Sequence, residues 1–266
     1  MNTLTSTAKI NKKNFLLQNP VMKRLSKVEE QSSEHVTYKG LAKKCGFFVL
    51  MIIAGIALTF LTSILCGMTT SSTAIYPIPF IALLGVAALA TLITPFIAIF
   101  AKKCTAVAGS IFCASIGIVY TSSALFVESY RNEILLALFV TVALFGALTL
   151  LFALNLIKVT QKFKSVSYIT LSALLLTGIL LVVSLFIPVL SGPVAAIIAN
   201  PLISIGLSVI SIMVASVFVL ADLQNVRDAV NNQVPKSYEW YGAFGIIFSV
   251  IWLFAEVLSL ISKIKN

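Results

Sequence analysis

The sequence predicts an all-α membrane protein, a bundle of seven transmembrane helices. Three observations predict it. First, 59% of the 266 residues are apolar and only 11% are charged, with a mean hydropathy of +1.04. A soluble domain averages about 45–50% apolar and about 25% charged, so this chain has more apolar surface than one core can hide. Second, the apolar residues fall into seven runs, each near the ~20 residues that cross a ~30 Å hydrocarbon layer as a helix. Third, the cations avoid the runs and gather in the tail and in alternate gaps. Together these exclude a disordered chain, a disulfide scaffold and an ordinary cytosolic enzyme.

Residues 1–44 are polar and carry nine of the 19 Lys and Arg residues. They read as a disordered tail with a short helix over 22–30. The runs follow at 45–67, 75–100, 104–127, 134–157, 166–188, 201–223 and 241–262. Each must be helical in lipid, because an open strand leaves its backbone groups unpaired. Pro77 and Pro79 open the second run and Pro95 lies near its close. In the third run Gly109, Cys113 and Gly117 recur every fourth residue, a spacing of small side chains that lets helices approach closely. Its Ser and Thr hydroxyls read as interhelical hydrogen-bonding groups. Asn200-Pro201 reads as an N-cap and first turn, after a turn at Ser191-Gly192-Pro193. The apolar stretch 194–199 is too short to span; it is an interfacial turn or an extension of the sixth run.

Orientation follows from the cations, which stay on the cytoplasmic side. With the tail inside, that side holds the nine tail cations, Lys102, Lys103, Lys158, Lys162, Lys164, Arg227 and Lys236; the other holds Arg131, Lys263 and Lys265. Seven spans put the C-terminus outside. Lys263 and Lys265 oppose this, which leaves open six spans and a re-entrant last helix. The formal net charge of +10 is thus an address, and no nucleic-acid partner is expected. The bilayer is the expected partner, and tail cations near its surface gain roughly 1 kcal/mol each from anionic headgroups. A cleavable signal needs its apolar core in the first 15–30 residues. Here the first run starts near Cys45, so it is expected to be retained as a span.

Cys45, Cys66, Cys104 and Cys113 form no CxxC pair and lie in or beside apolar runs, where free Cys behaves as a small hydrophobe. No disulfide, metal site or cofactor is expected, and His35 reads as a solvated tail residue. HExxH, GxSxG, P-loop and GxGxxG patterns are absent, and no His lies in a run. An enzyme is not expected.

The informative residues are carboxylates where lipid should be. Glu29, Glu30, Glu34, Glu128, Glu133, Asp228 and Glu239 are assigned to the tail or loops. Asp222 and Glu256 are not. A charge at the bilayer centre costs at least ~2.5–3.5 kcal/mol, so such groups face the bundle or a wet cavity. Asp222, near the end of the sixth run, is either a headgroup-level residue or a functional one. Glu256, about 15 residues into the seventh run, is either an uncharged carboxyl held by a neighbouring helix or part of a pathway. Their depths differ by more than ~10 Å at 1.5 Å per residue, so direct pairing is not expected. Lys102 or Lys103 is the expected partner of Asp222, forming a latch at the cytoplasmic mouth.

Three stretches carry a resemblance: Ala221-Asp222-Leu223-Gln224-Asn225-Val226, Val234-Pro235-Lys236-Ser237-Tyr238-Glu239-Trp240-Tyr241-Gly242-Ala243-Phe244-Gly245, and Val250-Ile251-Trp252-Leu253-Phe254-Ala255-Glu256-Val257-Leu258. They resemble the Bax-inhibitor / YccA (TMBIM) family, in its bacterial branch with a long polar N-terminal tail, and Asn19-Pro20-Val21 is similar to that branch's tail motif. The resemblance implies a seven-helix bundle with the last helix near the centre, in the bacterial inner membrane with the N-terminus cytoplasmic. It also implies a pH-sensitive cation leak, with calcium the favoured ion, in which an Asp on helix six faces an Asp on helix seven. Asp222 matches the first. The second falls on Ser249, so the pair is incomplete unless Glu256 substitutes from further along. An acidic residue of helix three is replaced near Ser115. Other bacterial members of the family resemble modulators of the membrane protease FtsH, a role that the tail 1–44 suits.

Overall fold

The structure, a computed structural model, describes residues 34–67, 77–157, 159 and 200–265. Among these residues it has six α-helices: α1 (Tyr38–Leu65), α2 (Ile78–Phe100), α3 (Thr105–Phe126), α4 (Glu128–Ala153), α5 (Pro201–Asn231) and α6 (Tyr238–Lys265). All six are long and apolar enough to cross a membrane, α3 together with the 3-10 turn Lys102–Cys104 before it. No strand occurs among the described residues; His35 and Pro235 form an isolated antiparallel bridge. The run 166–188, the turn at Ser191, the stretch 194–199 and the expected helix at 22–30 lie outside the described residues. α5 and α6 correspond to the sixth and seventh runs.

The helices outrun the apolar runs that mark them. Hydropathy marks the lipid-embedded part, whereas the hydrogen-bond ladder continues until a cap stops it. α1 starts where Thr37 accepts the Gly40 amide at 3.0 Å, so the last residues of the polar 1–44 stretch are helical. α5 starts where Asn200 accepts the amides of Leu202 and Ile203, with Pro201 supplying the first-turn φ. At 31 residues α5 is about 46 Å long, well beyond a ~30 Å hydrocarbon core.

Side-chain contacts fix the direction of each helix. Thr37 lies on Glu239, so α1 and α6 start together, at what is here the tail end. Lys102 lies over Tyr241 at that end, and Arg227 donates to Asn155 Oδ1 (2.8 Å) and to the Phe152 carbonyl (3.1 Å). Phe80 meets Phe126 at 5.5 Å at the far end, where Lys263 reaches Ser208 and Lys265 reaches Glu133. The described helices therefore run up and down in alternation from α1 to α4, with α5 running toward the tail end and α6 away from it.

α6 packs against all the other described helices. Its tail half meets Phe48 and Phe112 through Ala243, Phe244 and Ile247; its far half meets Ala137, Ala215 and Val219 through Leu253 and Val257. The small residues of α3 act at the backbone. A Cβ on Gly117 would overlap the Ile52 carbonyl, one on Gly55 the Ala114 carbonyl, and one on Gly109 would lie 2.8 Å from the Phe48 and Phe244 rings. α1 and α3 are thus in backbone contact, as small residues at helix interfaces permit.

Two carboxylates assigned to loops are helical and buried. Glu133 is 4% exposed on α4 and Glu239 is 1% exposed on α6. Both helices begin several residues before their apolar runs, and packed polar partners let those extra turns carry a buried acid. Asp228 likewise lies within α5.

Candidate functional site

Asp222 of α5 and Ser249 of α6 meet inside the bundle. Ser249 Oγ donates to Asp222 Oδ2 at 2.5 Å. One turn earlier on α6, a Cβ on Gly245 would lie 3.6 Å from Asp222 Oδ1, so Gly245 and Ser249 form the shelf on which the carboxylate rests. Ser249 is buried and Asp222 half-buried. They line a cavity of about 290 Å³ between α2, α5 and α6, with Ile99, Phe218, Asn225, Tyr241, Phe248 and Trp252 among its walls.

The helix lengths set the depth of this pair. α5 continues nine residues past Asp222 to Asn231, about 14 Å, and Ser249 lies eleven residues into α6, about 16 Å. Gln224, Asn225, Arg227, Asp228 and Asn231 all follow Asp222, whereas the other end of α5 is apolar, so the length of α5 beyond a ~30 Å core lies mostly at the tail end. Asp222 then sits near the tail-side edge of the hydrocarbon layer, with its carboxylate resting on Ser249 of α6.

Glu256 lies seven residues beyond Ser249, two turns and about 10 Å further along the same face. Its Oε1 accepts the Trp252 indole N–H at 3.0 Å. Trp252 also walls the Asp222 cavity, so one indole stands between the two carboxylates. The structure brings Asp222 and Ser249 together and leaves Glu256 two turns away. Lys102 Nζ lies 6.0 Å from the centroid of Tyr241, a ring of the cavity wall eight residues, about 12 Å of helix, before Ser249. Lys102 thus sits at the tail-end mouth, with Lys103 exposed beside it in the same turn. Ser115 is buried in α3.

Two polar clusters were not foreseen. At the tail end Glu239 Oε2 takes the Lys44 ammonium at 2.6 Å, and Oε1 takes the Thr37 amide (3.2 Å) and hydroxyl (3.3 Å). Gly40 lies directly against the carboxylate and a Cβ there would overlap it. Lys44 also lies 5.1 Å from the Trp240 ring. Beside this, Val36 N–H donates to the Val234 carbonyl at 2.9 Å, Lys236 N–H to the Glu34 carbonyl at 3.1 Å, and Lys236 Nζ pairs with Glu34 at 2.5 Å. That hydrogen bond and the Glu34 charge raise the exposed Lys236 ammonium above its ordinary pKa. At the far end Glu133 takes the Ser262 hydroxyl (2.5 Å) and the Lys265 ammonium (3.3 Å), while Lys263 donates to Ser208 Oγ (2.7 Å). The only signal for the first cluster is Thr37, Gly40 and Lys44 at helical spacing on one face. Nothing local marks the second, whose partners are 55 residues apart for Lys263 and Ser208 and more than a hundred for Glu133.

The central pair can exchange a proton without separating. A serine hydroxyl donates to an ionised carboxylate and accepts from a protonated one, so Asp222 keeps a partner in both states. Among the described residues no three His, Cys, Asp or Glu side chains gather to hold a metal ion.

A family model described as Bax inhibitor 1 like matches residues 19–266, and the chain belongs to that family. No curated protein and no solved structure matches it.

Proposed function

We propose that this protein is a pH-sensitive cation leak of the bacterial inner membrane, with calcium as the favoured ion, and not an enzyme. The observation that carries the reading is the Asp222–Ser249 pair, a carboxylate on a hydroxyl shelf beside a cavity inside an apolar bundle. Intramembrane carboxylates that face a cavity mark ion or proton pathways. Protonation of Asp222 reverses the direction of its bond to Ser249 and removes the charge that attracts a cation. Lys102, at the mouth, is the latch through which that charge is felt on the tail side, with Lys103 in reserve.

The pathway belongs to a bundle of seven spans with the tail cytoplasmic. α4 ends at the tail end and α5 begins at the far end, which supports an odd number of crossings between them. The run 166–188 has the length for one. Among the described residues the tail end carries Lys39, Lys43, Lys44, Lys102, Lys103, Arg227 and Lys236, and the far end Arg131, Lys263 and Lys265, the asymmetry of an inward-facing tail.

Purified protein in calcium-loaded liposomes tests the leak. Calcium efflux is expected to depend on pH and to fall to the level of empty liposomes in Asp222→Ala. Wild-type efflux that survives this substitution would sink the reading. A second reading is favoured by the antiparallel seam at 34–36, which fixes where the tail leaves the bundle. In it the protein does not conduct but modulates the membrane protease FtsH through residues 1–44. Absence of flux together with tail-dependent co-purification of the protease would support it.

A further inference from the structure

A slot opens between α1 and α4 in the far half of the bundle, floored by α3 and α6. Its volume is about 530 Å³, within the ~300–1,000 Å³ of ligand pockets. Its wall is almost wholly carbon, from Ile53 and Phe60 of α1, Ala124 of α3, Leu138 of α4 and Phe254 of α6. Phe60 and Leu138 are about half exposed, so the slot faces sideways into lipid. It extends from Val49 to Phe60 on α1 and from Arg131 to Val142 on α4, about 16 Å on each. That is about half of a ~30 Å hydrocarbon core, the depth of one leaflet.

Arg131 stands at the headgroup end of the slot. The other two far-end cations are occupied: Lys265 by Glu133 at 3.3 Å, and Lys263 by Ser208 at 2.7 Å. Among the side chains described, no ion pair holds Arg131. A guanidinium is suited to bidentate contact with phosphate. We propose that the slot is a binding site for one anionic phospholipid of the leaflet at this end. An acyl chain lies along the carbon walls and the phosphate meets Arg131. Lipid tails are as apolar as the slot, so its walls alone confer no preference over bulk lipid. Selectivity comes from the headgroup charge and retention from the fit of one chain. This site is independent of the ion pathway.

Native mass spectrometry of the full chain in detergent, supplied with phosphatidylglycerol, phosphatidylcholine or inorganic phosphate, tests the proposal. The wild type is expected to retain one phosphatidylglycerol, about fivefold in preference to phosphatidylcholine, the size expected for one interfacial cation. Arg131→Gln, at an exposed position, is expected to fold normally and to retain the two lipids equally. Ala124→Phe, which fills the slot, is expected to retain neither. Equal retention by the wild type, or a preference that survives Arg131→Gln, overturns the proposal. So does phosphate competing as well as the lipid, or a stable dimer that holds no lipid.

Discussion

The two ends of α6 and its middle hold carboxylates in different settings. At each end a carboxylate from one helix is closed by a lysine and a hydroxyl from another part of the chain: Glu239 by Lys44 and Thr37, Glu133 by Lys265 and Ser262. In the middle, Asp222 meets the neutral hydroxyl of Ser249 beside a cavity. Paired, packed acids anchor a helix, because removing one partner strands the other. An acid that rests on a hydroxyl beside open space keeps a bond in both protonation states. α6 is therefore pinned at both ends and chemically responsive between them.

Glu239→Ala tests the pinned end most strongly. It strands Lys44 in a nearly closed site and is expected to cost about 3 kcal/mol of stability, read by unfolding in detergent. A loss under about 1 kcal/mol would make this cluster no more than an exposed ion pair. Glu133→Ala is expected to cost less, about 1–2 kcal/mol, because Lys265 is half exposed and retains water while the Ser262 hydroxyl loses its acceptor. If it equals Glu239→Ala, the two ends are not graded by solvent access. Ser249→Ala should leave stability within about 1 kcal/mol yet alter the pH profile of calcium efflux. An unchanged profile would place the responsive element elsewhere on α6.

The smallest effect belongs to the exposed seam. Lys236→Met removes the pair with Glu34 and is expected to leave unfolding at neutral pH unchanged. It should speed hydrogen exchange at the Val36 amide, which bonds the Val234 carbonyl. The sign with pH follows from the raised Lys236 value. From neutral pH up to the unfolded lysine value of about 10.4 the pair's contribution is full, and it is lost as pH rises through the higher folded value. Wild-type Val36 should lose its extra protection, relative to Lys236→Met, as pH rises into the alkaline range.

Much of the site was legible before any coordinates. Asp222 stands out as an acid in an apolar run, and Ser249 as its counterpart only through the family resemblance. Glu256 stands out equally, but nothing in its surroundings tells that Trp252, four residues earlier, takes up its carboxylate. Hydropathy places Glu133 and Glu239 in loops because it stops where lipid stops, whereas a helix stops where its caps are.

The sequence by itself determined that the chain is helical and membrane-embedded, because backbone groups in lipid must be satisfied within each segment and apolar length alone sets the spans. The placement of its cations is likewise linear information. Only the tertiary structure decided which groups each acid meets. That depends on groups up to two hundred residues apart, such as Thr37 and Glu239, brought together by helix packing that no local pattern encodes.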